Sequence, residues 1–126
     1  MISLSKEQIL YYYAQIMDIT AGRVLLINEF GLDTALLSPF QSFGGKDLYP
    51  TLEHKIAIVV FCIIKNHPFL DGNKRTATHA LITLLRLNGI KTSFAKNDLV
   101  KIGRAIANGT MSHEDLADLI TKHITP

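Results

Sequence analysis

The chain has 126 residues, 48% of them hydrophobic, and a formal net charge of +2, which suits one domain with a buried core and argues against a nucleic-acid-binding surface. Its single cysteine excludes an internal disulfide framework, and its longest apolar run, residues 56–64, is far shorter than the roughly 20 residues of a membrane-spanning helix. Since the N-terminus also lacks a secretory signal pattern, the sequence predicts one cytoplasmic domain over residues 1–126, without DNA or membrane partners.

The first half of the chain predicts helices followed by a loop. Ser5 is a typical N-cap for a helix that extends to about Asp18, with an apolar stripe at helical spacing. Residues 24–37 predict one or two shorter helices, although residues 24–27 also have strand propensity. Residues 41–50 contain two adjacent glycines and predict a mobile loop.

The second half predicts four further helices and gives the fold class. An apolar helix over residues 52–66 should end before Pro68, and the next should run from Asn73 to a left-handed cap at Asn88-Gly89. Two more are predicted over residues 96–108 and from a capping box at Ser112 to about His123. We therefore expect an all-α, compact helical bundle.

The most informative segment is the turn between the two central helices, residues 67–75, which reads His-Pro-Phe-Leu-Asp-Gly-Asn-Lys-Arg. It precedes the predicted start of a helix, where free backbone N–H groups and the positive end of the helix dipole favour anions. Gly72 would allow a ligand to approach the backbone closely. The turn therefore predicts a phosphate-binding site.

Several side chains of this turn have both a chemical and a structural interpretation. His67 could remove a proton from an attacking hydroxyl near neutral pH, or serve only to end a helix. Asp71 could hold Mg²⁺ while the ion bridges nucleotide phosphates, or could cap the following helix. Asn73 could donate a hydrogen bond to a phosphoryl oxygen, or close a turn.

Three further residues complete the turn. Lys74 and Arg75 place two cations at a helix N-terminus, where the dipole disfavours them. A bound polyanion would remove this conflict, whereas a solvated pair is the alternative. Phe69 carries no reactive group and is predicted to pack in the core and hold the loop.

The other histidines do not have a spacing that predicts a zinc site. They are expected to be scattered and exposed, and no cluster of carboxylates supports a metal-dependent hydrolase or nuclease. These are His54, His79, His113 and His123.

The segment 67–75 resembles the core motif of the Fic superfamily, and Lys74 resembles its Doc (death-on-curing) branch. Residues 43–50, Lys65-Asn66 and residues 87–89 are also similar to the segments that flank this motif in Doc-like proteins. The resemblance covers roughly residues 40–125, while the N-terminal third matches only in its helical character.

The resemblance implies a set of roles for the motif residues. His67 would be the general base, Asp71 the Mg²⁺ ligand, and the segment from Gly72 through Asn73 to Lys74 an anion-binding loop, with Arg75 on the phosphates of ATP. The glycine-rich loop before the central helix would be the flap that receives the target. Its residues are Gly44, Gly45 and Lys46.

The resemblance also implies an activity. Fic proteins usually transfer AMP from ATP to a protein hydroxyl, but this chain has Lys74 where they have glycine and Thr78 where they have a second arginine. The Doc branch shares both departures and implies a toxin kinase that phosphorylates a threonine of elongation factor Tu, arrests translation and is blocked by a separate antitoxin. Gly72 is nearer the Fic form, so AMP transfer stays open, as does a non-catalytic binding module.

Overall fold

The computed structural model describes residues 1–19 and 24–126 and shows a mostly helical protein. A short 3₁₀ turn, Ser38–Phe40, and an antiparallel hairpin, Ser42–Phe43 (β1) with Lys46–Asp47 (β2), lie between the second and third helices. The described residues form six α-helices: α1 Lys6–Ile16, α2 Glu29–Leu37, α3 Leu52–Asn66, α4 Asn73–Leu87, α5 Lys96–Ala107 and α6 His113–His123.

Short polar side chains fix the starts of four of these helices. Ser5, Asn28, Thr51 and Ser112 each accept a hydrogen bond from a backbone N–H in the first turn of α1, α2, α3 and α6 respectively. The first helix ends two residues earlier than expected because the backbone turns to a positive φ of 53° at Asp18. The helical predictions and the all-α fold class are otherwise confirmed.

The core is built around α3, which contacts α2, α4, α5 and α6. Its buried residues occupy most of its circumference, which explains why its sequence is almost continuously apolar rather than amphipathic. They include Ile56, Ala57, Val59, Val60 and Ile63. Since α3 ends at Asn66 and α4 begins at Asn73, the motif turn is attached directly to the most buried part of the fold.

One expectation about the first half was wrong, whereas the expectation of one or two helices in residues 24–37 is confirmed by α2. Residues 41–50 were expected to form a loop, but they contain the two strands of a hairpin. Gly44 and Gly45 form its tight turn, with φ of 59° and 78°. Residues 24–27 form neither helix nor strand: Leu26 makes an isolated antiparallel bridge to Phe69. A single α-helix, α2, lies in the segment 24–37.

A second correction concerns the histidines. His54, His113 and His123 are half-buried rather than exposed. His54 Nε2 also lies 2.8 Å from His113 Nδ1. The spacing of His54 and His113 along the chain gives no sign of this pair, because the contact forms between the first turns of α3 and α6.

Within the described ranges, no helix is both long and apolar enough to cross a membrane.

Candidate active site

The turn between α3 and α4 forms one side of an open cleft of about 370 Å³. His67 has left-handed backbone angles, φ 51° and ψ 58°, as the residue that ends α3. A non-glycine residue adopts this conformation at an energetic cost, so the surrounding structure must hold it there. Among the residues that line the cleft are His67, Asp71, Gly72, Lys74 and Arg75.

The segment 25–28 holds the turn in place through backbone hydrogen bonds. The carbonyl of Pro68 accepts two N–H donors from this segment, at 2.8 and 3.0 Å, and the Leu70 N–H donates to the Leu25 carbonyl at 3.0 Å. These bonds fix the middle of the turn relative to the start of α2. Sequence reasoning missed this support, and the strand propensity of residues 24–27 was its only signal.

Two asparagines join the start of α2 to the end of α3. Asn28 donates through Nδ2 to the Asn66 carbonyl at 2.8 Å and accepts from the Gly31 N–H at 3.0 Å. Asn66 in turn donates to the Gly31 carbonyl at 2.9 Å and to Thr34 Oγ1 at 3.1 Å. A side chain at Gly31 would overlap that of Asn28. The end of α3 is therefore fastened to the start of α2.

Asn73 closes the turn from the other side. Its side chain is buried, accepts from the Phe69 N–H at 3.0 Å and donates to the Phe69 carbonyl at 2.9 Å. Both polar atoms of the amide are thus used to shape the loop. A ligand at the start of α4 would meet the backbone N–H of Asn73 rather than its side chain.

An aromatic pair positions the carboxylate of the motif. Phe69 is fully buried, as predicted, and its ring stacks on that of Tyr13 at a centroid distance of 3.9 Å. The Tyr13 hydroxyl donates to Asp71 Oδ1 at 3.2 Å. Burial, and next the adjacent charge of Asp71, raise the pKa of Tyr13, so that its hydroxyl remains a donor at neutral pH. Tyr13 belongs to the buried stripe of α1, but this position in the sequence gives no sign of its contact with Asp71.

The first turn of α4 has free hydrogen-bond donors. Its N-cap is Gly72, with φ 77°, and within residues 1–19 and 24–126 no side chain caps the helix, so Asp71 does not serve as the N-cap. The first intrahelical bond runs from the Thr76 N–H to the Gly72 carbonyl. The N–H groups before it have no partner within the helix and face the cleft with the positive end of the dipole.

Two exposed cations flank these donors. Neither Lys74 nor Arg75 is among the ion pairs formed by residues 1–19 and 24–126. Arg75 Nη2 lies 3.0 Å from Met17 Sδ, which is only a weak acceptor. The start of α4 therefore has positive charge and donors but no acidic residue in its first turn.

A second, larger groove of about 610 Å³ adjoins the cleft between α4 and α5. Lys74 and Arg75 line both. Its floor is close-packed, because a Cβ at Gly103 would lie 3.2 Å from Lys74 Cβ. Besides these residues it is lined by apolar Ile16, Ile82, Leu99 and Val100 and by the cations Lys96 and Arg104. Sequence reasoning did not identify this groove.

The predicted flap residues lie apart from this cleft. Gly44, Gly45 and Lys46 form the exposed tip of the hairpin, and none of them lines the cleft at the motif. The hairpin is tied to the start of α3 by Lys55, which donates to Asp47 Oδ2 at 3.1 Å. Their role as a target flap remains a prediction.

The arrangement can bind a polyanion and accept a proton. An imidazole, a carboxylate, free N–H donors and two cations share one cleft, and these groups suit a phosphorylated ligand with a nearby hydroxyl. The exposed carboxylate of Asp71 also fits Mg²⁺, which usually takes one or two protein carboxylates together with phosphate oxygens.

Comparisons with known proteins give the family of the chain. Residues 3–85 match the model of the Fic/DOC family. The chain is also 39% identical over 75 residues to the toxin Doc of Mycolicibacterium smegmatis, and this match covers 59% of the chain and 58% of that protein, less than two thirds of either.

The family match begins earlier than the resemblance at residues 40–125 suggested. The N-terminal segments contribute more than helical character, because Tyr13 and residues 25–28 hold the motif turn in position. The match spans more than half of the sequence and includes the whole motif turn. The chain therefore belongs to the Fic/DOC family.

Proposed function

We propose that this chain is the toxin of a toxin–antitoxin pair and that it transfers the γ-phosphoryl group of ATP to a serine or threonine hydroxyl of a protein. The observation that carries the proposal is the N-terminus of α4, which no side chain of the described residues caps and which shares one cleft with His67, Asp71 and two exposed cations. The similarity to the toxin Doc supports the toxin role, and the kinase activity is proposed from the resemblance of Lys74 and Thr78 to the Doc branch.

In this proposal each residue has a separate task. The target hydroxyl forms a bond to the γ-phosphorus, the bond from that phosphorus to the β–γ bridging oxygen breaks, and the hydroxyl proton moves to the imidazole of His67. The backbone N–H groups of the first turn of α4 and the guanidinium of Arg75 bind phosphate oxygens. ADP leaves as the second product.

Asp71 would hold Mg²⁺, and the hydroxyl of Tyr13 would orient its carboxylate. When bound, the ion would neutralise negative charge on the phosphates. Lys74 would add a compact positive charge at the same end of the cleft.

The target is proposed from the family resemblance. A threonine of elongation factor Tu would be the acceptor, and its modification in the cytoplasm would stop translation. Main-chain groups of the hairpin could align an extended target segment, since each strand of a two-stranded sheet has one unpaired edge. Phe43, which is 82% exposed, would provide an apolar contact on this hairpin.

A Fic-type AMP transferase is the alternative within the same cleft. The target oxygen would then attack the α-phosphorus and pyrophosphate would leave. Gly72 favours this alternative, because its φ of 77° suits a glycine-containing anion loop. Thr78 argues against it: its hydroxyl donates to the Lys74 carbonyl at 3.0 Å and supplies no second clamp for a triphosphate.

A non-catalytic nucleotide- or partner-binding module is the second alternative. It would need the anion site but not the imidazole. The left-handed backbone at His67 argues against this reading, because a strained residue exposed beside an anion site is typical of active sites.

An antitoxin is the partner that the proposed toxin requires. The groove beside the cleft suits an amphipathic, acidic segment, because its apolar floor is bordered by four cations: Lys74, Arg75, Lys96 and Arg104. Such a segment would order on binding and reach the phosphate site. Co-expression of the antitoxin should then relieve growth arrest caused by the chain.

The deciding experiment separates the two phosphorus atoms. The purified chain would be incubated with Mg²⁺, purified elongation factor Tu or cell extract, and ATP labelled at either the γ- or the α-phosphorus. His67→Ala tests the base, and His123→Ala is the matched control, since His123 lines neither the cleft nor the groove.

Each outcome has a distinct meaning. Label from the γ position alone, lost in His67→Ala and kept in His123→Ala, is the expected result. Label from the α position alone would make the chain an AMP transferase. If ATP binds but neither label reaches protein, the chain is a binding module and the proposal is wrong.

A further inference from the structure

A second cluster of chemically active side chains lies at the opposite end of α3 from the motif. His54 is in the first turn of α3, while His113 and Glu114 open α6. His54 Nε2 lies 2.8 Å from His113 Nδ1, and His113 Nε2 lies 3.1 Å from Glu114 Oε1. One nitrogen of each ring and one carboxylate oxygen all lie within 4.8 Å of one another.

We propose that His54, His113 and Glu114 bind one divalent transition-metal ion, with Zn²⁺ the best fit. Two imidazoles and a carboxylate are donors that zinc prefers, and three protein ligands leave a fourth position for water. The hard cation Mg²⁺ would not bind here, because it prefers oxygen donors. The ion would link the start of α3 to the start of α6.

The burial of the three groups suits a bound ion. Both imidazoles are half-buried between the starts of α3 and α6, whereas the carboxylate of Glu114 is exposed beside them. The two rings could therefore hold an ion at the edge of the core, and the exposed carboxylate could close the site from the solvent side.

Aromatic rings surround the histidine pair. The Tyr49 ring lies 4.9 Å from that of His54 and 5.6 Å from that of His113, and the Phe61 ring lies 5.4 Å from that of His113. These rings pack beside the two imidazoles, and Glu114 is the most exposed of the three ligands.

Only a modest rearrangement is needed for coordination. Two nitrogens bound to tetrahedral zinc at about 2.0–2.1 Å are separated by roughly 3.3 Å. The present separation of His54 and His113 is 2.8 Å, so the rings would move apart by about half an ångström as the metal replaces their shared hydrogen bond. The exposed Glu114 side chain can then rotate to supply the third ligand.

The site would also influence the hairpin. Tyr49 packs on both histidines and follows β2 by two residues, so the metal would fix the segment that joins the hairpin to α3. This effect does not depend on the phosphoryl transfer proposed for the other end of α3. The metal site can therefore be tested without measuring that activity.

The test uses the untagged full chain after removal of bound metal with a chelator. Calorimetric titration with ZnCl₂ should give one ion per chain, and Co²⁺ should give the visible absorption of a four-coordinate complex. Zn²⁺ should raise the melting temperature of the protein, whereas Mg²⁺ should not change it through this site.

Three variants assign the ligands. His113→Gln and Glu114→Gln should each weaken Zn²⁺ binding at least tenfold, and His123→Gln, a histidine at the other end of α6, should leave it unchanged. Glu114 is exposed, so its variant keeps the test valid if His113→Gln does not fold. The proposal is overturned if Zn²⁺ does not bind saturably, or if it binds wild type and Glu114→Gln equally well.

Discussion

Replacing Asn73 with alanine would test whether this side chain shapes the motif turn rather than contacting a ligand. The buried amide makes two hydrogen bonds to the backbone of Phe69, at 3.0 and 2.9 Å, and Phe69 is itself fully buried. After Asn73→Ala, the Phe69 N–H and carbonyl would be left without partners away from water. Each such group costs about 1–3 kcal/mol.

Allowing for partial relaxation, we expect Asn73→Ala to lower the free energy of unfolding by about 2–4 kcal/mol. Urea denaturation followed by circular dichroism would measure this loss. Asn97→Ala is the matched control, because Asn97 is an exposed residue of α5, and its effect should stay within about 0.5 kcal/mol.

ATP binding distinguishes the two roles. If the amide acts only on the loop, affinity for ATP should fall together with stability, because the turn loses its shape. A loss of ATP affinity with a stability change below about 0.5 kcal/mol would refute the reasoning, since it would mean that the side chain leaves Phe69 to bind phosphate.

Four further changes probe the same turn. Tyr13→Phe removes the hydroxyl bonded to Asp71 but keeps the stacked ring, so transfer should require more Mg²⁺ while the melting temperature changes little; an unchanged Mg²⁺ requirement would contradict this role. Gly72→Ala should destabilise the protein by about 1–2 kcal/mol in urea titrations, because φ is 77° and the new Cβ would lie 2.6 Å from a methionine sulfur. Thr76→Val should be neutral or stabilise the protein by up to about 1 kcal/mol in urea titrations, since the Thr76 hydroxyl is buried without a hydrogen-bond partner among the described residues. A clear loss of stability would mean that the hydroxyl has a partner. Lys74→Ala should raise the stability of the ligand-free protein by about a few tenths of a kcal/mol at low salt and weaken ATP binding, as calorimetry would show.

Most of the fold could be predicted because its helices carry local signals. The serines and the threonine that cap α1, α3 and α6 are visible in the sequence, and Pro68 and Gly89 mark where α3 and α4 end. These signals act within one or two turns of backbone. A single sequence therefore contains enough information to place them within a residue or two.

The contacts that hold the site could not be predicted in the same way. The hydrogen bond from Tyr13 to Asp71 spans 58 positions of the sequence, and that from Asn28 to the Asn66 carbonyl spans 38. No sequence pattern indicates that the two residues of either pair are in contact. Such pairs depend on how helices dock, which local propensity does not determine. The same reason explains why the pairing of His54 with His113 was missed.

The motif turn has capping, charge and backbone features that oppose the usual local preferences of a helix end. Four other helices begin with a side chain that accepts from one of their free N–H groups, and the first turn of α5 contains Asp98. In contrast, α4 begins with Gly72, has no acidic residue in its first turn and carries cations where the dipole favours anions. His67 adds a left-handed backbone immediately upstream. Such conflicts lower stability unless a ligand resolves them, and a polyanion at this helix end would satisfy the donors and the charges together. ATP should therefore raise the melting temperature of the wild type more than that of Lys74→Ala, because the wild type has more positive charge for the ligand to neutralise.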